Sequence, residues 1–216
     1  MSRNVVVALN ALIDPEQVGG SESSALSIIA NFRDAPETGI DMYVTSFPKY
    51  ANQLRAIRGA SDRVIEWPWR EFTVVSSIPR RKWTSHLRKL FYGRAAKKAF
   101  DKVSRGFHGL IEGRNLPSRR KVDELLDRYG VDVVHFTYPV KWPTRRPFIF
   151  EPHDIQQFHF PEFFHRDILE WRRRTYSDGV RNAAFVVCRT WWTKPEIMKN
   201  FGVPGSKVAV IPRNSI

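Results

Sequence analysis

The stretch Val5-Val6-Val7-Ala8-Leu9, a loop holding Gly19-Gly20, and then Ser21-Glu22-Ser23-Ser24-Ala25-Leu26 decide the fold. Five unbroken apolar residues, three of them β-branched, make a strand buried on both faces. The glycine pair makes a turn. Ser21 or Ser23 offers a helix cap, ahead of Leu26, Ile28, Ile29 and Phe32.

The same pattern repeats along the chain. Asp41–Ser46, Arg63–Glu66, Val131–Phe136, Pro147–Glu151, Ala183–Cys188 and Lys207–Ile211 read as strands. Pro48–Arg58, Ser118–Tyr129, Pro161–Val180 and Thr193–Phe201 read as helices, with Gly130 and Gly202 as their C-caps where a glycine follows. In the third of these, Phe164, Ile168, Trp171 and Thr175 recur at i, i+4, i+7 and i+11. Strands alternating with helices imply right-handed βαβ units. The expectation is one α/β domain over 1–216, a Rossmann-like, doubly wound, mainly parallel sheet of about seven strands with helices on both faces. In such sheets ligands bind beyond the carboxyl ends of the strands. That points to Asn10–Gly20, His135–Tyr138, Glu151–Asp154, Cys188–Thr193 and Pro212–Asn214.

Composition narrows the function classes. With 42% hydrophobic residues in 216, the chain can bury a core and is no disordered tail. Its single cysteine, Cys188, excludes an internal disulfide framework and a Cys-rich zinc module. Within an apolar strand it reads as a buried, inert thiol, and a reducing compartment follows. Lys and Arg number 35 against 22 Asp and Glu, a net charge of +13, so an anionic partner is expected. No apolar run reaches the ~18 to 20 residues of a spanning helix. Val5–Ile13 after Arg3 resembles a short signal core, but Asn10 and Asp14 interrupt it, and a buried strand is the better reading.

Several groups carry candidate chemistry. Gly19, Gly20 and Ser21 let backbone N–H groups approach a phosphate at a helix start, or form a plain tight turn. They are not a G-x-G-x-x-G dinucleotide fingerprint. His153, after the PFIFE strand, can exchange a proton with a bound hydroxyl, and Asp154 can orient it; the bland alternative is a loop His beside a helix-capping Asp. His135 is a second cleft candidate, or a wall residue. His153, Asp154, His159 and His165 match no metal-ligand spacing, so no metal is expected. Ile78–Lys102 is helical in pattern, and Arg80, Arg81, Lys82, Arg88, Lys89, Arg94, Lys97 and Lys98 interleave with Trp83, Leu87, Leu90 and Phe91. That composition suits a helix on an anionic bilayer, or one packed on the sheet with a solvated basic face. No nucleic-acid motif accompanies it, so no nucleic-acid partner is expected. Trp191 and Trp192 suit a sugar-stacking platform or interdomain packing.

The second half carries a family resemblance. E-P-H-D-I-Q-Q-F-H-F-P-E-F-F at 151–164 is followed by R-R-R-T-Y at 172–176 and A-A-F-V-V-C-R-T-W-W-T-K-P-E-I at 183–197. F-G-V-P at 201–204 and K-V-A-V-I-P-R-N at 207–214 come next. The succession resembles the amino-terminal half of GT-B glycosyltransferases of the family 4, or group 1, type, and Gly19-Gly20 matches that family's early glycine pair. The resemblance implies an acceptor-binding domain, facing a donor-binding domain across a cleft and acting with retention. It implies a nucleotide-sugar co-substrate and neither metal nor other cofactor. It places Gly19 and Gly20 at the donor diphosphate, His153 and Asp154 near the reacting sugar, and Lys194 at the end of an S/T-x-x-S/T-K pattern in which Thr190 replaces the commoner Ser. The sequence given ends at Ile216, where the family's hinge begins, so the donor-binding half is expected on a separate domain or partner chain. The expected acceptor is a glycan or a lipid-linked sugar in polysaccharide or glycoconjugate synthesis. The expected location is the cytoplasm, peripheral on the inner membrane face. The rival reading is a stand-alone, non-catalytic subunit that recruits a donor-binding chain to the membrane.

Overall fold

The computed structural model describes residues 3–12, 20–32, 39–57, 63–69, 116–164 and 166–212, with 20–24 by their backbone alone. Strands β1 (Val5–Asn10), β2 (Ile40–Ser46), β3 (Val64–Glu66), β4 (Val133–Phe136), β5 (Phe148–Phe150), β6 (Phe185–Cys188) and β7 (Val208–Val210) form one sheet in the order β3-β2-β1-β4-β5-β6-β7. Every pairing is parallel. The order reverses between β1 and β4, which is where a doubly wound sheet opens a crevice. Helices α1 (Gly20–Phe32), α2 (Pro48–Ala56), α3 (Arg119–Arg128), α4 (Gln156–His159), α5 (Arg166–Asn182) and α6 (Thr193–Phe201) connect the strands, with 3₁₀ turns at Pro161–Phe163 and Gly205–Lys207.

Strand side chains alternate between the two faces. Ala8, Ile65, Val134 and Phe136 join one buried cluster with α3, α5 and α6, while Leu9, Val44 and Val64 join another with α1 and α2. Both faces are therefore covered, which is why the strands read as continuous apolar runs. At the core's centre Trp142 packs 5.0 Å from Trp67 and 4.9 Å from Phe136. At the amino edge, Asp132 accepts from the Val6 N–H at 2.9 Å and from Arg3 at 2.5 Å, aligning β1 with β4.

Three local expectations change. Ser21 and Ser23 lie inside α1, not at its cap, because the helix already begins at Gly20. The segment read as one helix over 161–180 is a 3₁₀ turn, an extended residue at Phe164 (φ −115°, ψ 141°), and then α5 from Arg166. Its buried stripe is Tyr176, Gly179 and Val180 rather than the Phe164–Thr175 series. The single turn of α4 is too short to print a periodicity in the sequence. Elsewhere the glycine stops hold: Gly130 and Gly202 take φ +61° and +66°, and the Gly202 N–H reaches the Met198 carbonyl at 3.0 Å.

A Cβ on Gly179 would lie 2.6 Å from Cε1 and Cε2 of the buried Phe150 ring. Gly179→Ala should cost on the order of 1–3 kcal/mol in urea unfolding, and adding Phe150→Leu should recover part of it. Cys188 is 3% exposed, and burial pushes its thiol up against a smaller opposing pull from Lys194. The folded chain thus keeps a proton that the unfolded chain loses above about pH 8.5. Stability from this group is complete below that pH and declines above it, and a thiol reagent should label the native protein only as fast as it opens.

Candidate functional site

The carboxyl ends of β1, β4, β5 and β6 are joined by buried polar contacts. Asn10 closes β1 with no exposed surface, and its Nδ2 donates to the Val140 carbonyl at 3.1 Å. Its Oδ1 accepts from the Leu12 N–H, and its carbonyl accepts from the Thr137 hydroxyl at 2.9 Å. The Tyr138 hydroxyl lies 3.0 Å from the Leu12 carbonyl. A buried amide needs such partners. The loop after β1 is thereby fastened to the loop after β4, on both sides of the point where strand order reverses.

The loop after β5 is clamped on two sides. Glu151 is 4% exposed; its Oε1 accepts from His135 Nε2 at 2.8 Å and its Oε2 from Arg189 at 2.9 Å. One carboxylate therefore ties β4, β5 and the residue after β6. Two residues on, His153 has φ +56°, and the Asp154 N–H reaches back to the Pro152 carbonyl at 2.7 Å. This three-residue turn in the left-handed region is a conformation a non-glycine side chain adopts only when its surroundings impose it. The His153 ring points Nε2 at the Thr137 carbonyl. A carbonyl only accepts, so Nε2 carries the proton. Asp154 accepts from Arg172 at 2.7 Å and from the Gln156 N–H at 3.2 Å. Arg172 is itself held over the Phe164 and Tyr176 rings, at 4.6 and 5.7 Å.

The structure thus brings His135, His153 and Asp154 to one edge. Gly20 and Ser21 open α1, and Gly19 lies outside the described residues. Lys194 lies in the first turn of α6, with its charge felt at Cys188. Arg80, Arg81, Lys82, Trp83, Arg88, Lys89, Arg94, Lys97 and Lys98 fall outside the described residues. Among the described residues no three His, Cys, Asp or Glu side chains gather as a metal site. No helix among them is long and apolar enough to cross a membrane. Sequence reasoning placed Asn10, Glu151 and Arg189 within the strand-end segments without giving them a role, and it missed Arg172. The signal was present for Glu151 and Asn10, each a polar residue closing an apolar strand. Arg172 lay among three consecutive arginines, with nothing to single it out.

A parallel doubly wound sheet with buried polar side chains gathered at its carboxyl edge defines a Rossmann-like ligand-binding domain. The chain belongs to Glycosyltransferase Family 4, whose model matches residues 18–213. Its general activity is therefore the transfer of a sugar. A comparison with curated proteins gives no match.

The clamp predicts unequal costs. Removing the Glu151 carboxylate leaves the Arg189 guanidinium and the His135 ring without their acceptor, so Glu151→Ala should lose on the order of 3 kcal/mol in chemical denaturation. Glu170→Ala breaks only an exposed pair with Arg174 and should stay within about 0.5 kcal/mol.

Proposed function

We propose that this chain is the acceptor-binding half of a retaining glycosyltransferase, moving a sugar from a nucleotide-sugar to a glycan or lipid-linked acceptor. The observation that carries the reading is His153, an imidazole set at the carboxyl end of a central strand on a strained turn and fixed by the Thr137 carbonyl. Its turn is flanked by Glu151 and Asp154, each anchored to another element. A side chain held so firmly orients a hydroxyl and spares the reaction that entropy.

In the reaction the acceptor oxygen bonds to the anomeric carbon as the bond from that carbon to the diphosphate oxygen breaks. The hydroxyl proton leaves to the departing phosphate oxygen. His153 and Asp154 position the acceptor and His135 lines the same edge. Gly19, Gly20 and Ser21 admit the diphosphate at the amino end of α1, where free N–H groups favour anions. Lys194 adds a cation from the first turn of α6. The nucleotide-sugar is a co-substrate, and neither a metal nor another cofactor enters this reading. A second wall, from a carboxyl-terminal donor domain or a partner chain, closes the cleft and excludes water. The basic segment Arg80–Lys98 holds the domain to anionic lipid at the cytoplasmic membrane face, consistent with the net charge of +13.

With the donor wall supplied, His153→Ala should lower kcat/KM about a hundredfold or more while leaving the fold intact. An unchanged kcat/KM would remove His153 from the reaction. A chain that stays inactive with every donor yet co-purifies stoichiometrically with a second Rossmann-like protein would favour the recruiting subunit instead.

A further inference from the structure

Beyond the turn of His153 the chain lays out a row of exposed rings. Phe163 is 77% exposed, Phe160 50% and Trp192 60%, and Trp191, next in the chain, is 74% exposed. Scattered apolar side chains on a surface mean little, but Phe160, Phe163 and Trp192 are linked by ring contacts through His159. Phe160 stacks on Phe163 with centroids 5.8 Å apart and planes 18° from parallel. His159 bridges the two ends, 6.4 Å from Phe160 and 5.0 Å from Trp192. The row begins on α4, which starts two residues after Asp154, so it continues directly from the candidate site.

Polar groups run through the row. His159 Nε2 lies 3.2 Å from Glu196 Oε2, and Asn200 donates to the same oxygen at 3.3 Å. Glu162, in the first turn of the 3₁₀ segment, stands exposed beside Phe163. These two carboxylates repel anionic headgroups, and a bilayer covering the rings would have to strip water from them. A ligand that is neutral, flat on one side and rich in hydroxyls fits both features. The electron-rich ring faces attract the axial C–H groups of a pyranose, while Glu196 and His159 suit hydroxyls at its rim.

We propose that Phe160, Phe163, Trp192 and the His159–Glu196 pair form a platform for the sugar rings of a neutral oligosaccharide acceptor. The proposal rests on the acceptor-binding reading above, and it names both the acceptor's class and where its distal residues lie.

The test uses the full chain with cellohexaose, maltohexaose and mannohexaose, followed by tryptophan fluorescence and calorimetry, and with phosphatidylglycerol vesicles as the competing surface. At least one hexasaccharide should bind, and Trp192→Ala and Phe163→Ala should each weaken it about tenfold. Trp192→Phe should keep most of the affinity. The substituted side chains are exposed, so the thermal midpoints of Phe163→Ala and Trp192→Phe should hold and report on folding. Absence of binding by all three sugars, undiminished binding in both alanine variants, or loss of vesicle binding alone would overturn the platform. If His153→Ala abolishes transfer while the platform variants bind sugar normally, the platform falls and the acceptor-binding reading stands. If the platform variants lose sugar while transfer ignores His153, the platform stands and His153's role falls.

Discussion

Glu151 is a carboxylate with 4% of its surface in contact with solvent, at the end of a strand three residues long. A charge cannot remain there unless its oxygens are met. His135 meets one and Arg189 the other, from the neighbouring strand on one side and from just past the neighbouring strand on the other. Four- and three-residue strands offer few ladder hydrogen bonds to fix their relative heights. The shared carboxylate supplies that alignment, and the edge on which ligands of such sheets bind is level because of it. Removing Glu151 therefore threatens the edge's geometry before it threatens any chemistry.

The alignment has a consequence for His153. A left-handed residue with a side chain costs free energy, even for histidine, which adopts it more readily than most. The turn persists because its flanks are fixed: Glu151 by the clamp, Asp154 by Arg172, and the ring by the Thr137 carbonyl. Thr137 in turn donates to the Asn10 carbonyl. A continuous path of polar contacts thus joins the ends of β1, β4 and β5 across the place where strand order reverses. Rigidity of this kind suits a site that presents a hydroxyl to a reactive partner, because little ordering is left for the moment of reaction.

The stretches most legible in the sequence were the ones governed by periodicity. Val5–Leu9, the AAFVVC strand and the helix stopped at Gly202 stand where the pattern puts them. The segment 161–164 was misread as the start of a long helix because it is a single 3₁₀ turn opening at Pro161 and an extended residue, and a one-turn element leaves no repeat to detect. The neighbouring Phe164 and Ile168 share an apolar spacing by chance of an extended residue followed by a helix. His153 and His135 could be nominated because the strand-end rule needs only strand positions. The same rule reached Thr137, Glu151 and Arg189 but not how they pair, and it did not reach Arg172, because the pairings are made by register and by helix rotation.

The class of the fold, the alternation of strand and helix, the buried thiol and the family can all be read along the chain. All of these depend on local pattern or on the order of short motifs along the chain. Tertiary structure alone decided which polar residues share the edge, that His153 is held left-handed, and that four aromatic side chains lie open in one region of the surface. The polar edge and the hold on His153 depend on contacts between residues 16 to 130 positions apart, and a linear chain carries no signal for distances that only the parallel register of the sheet creates.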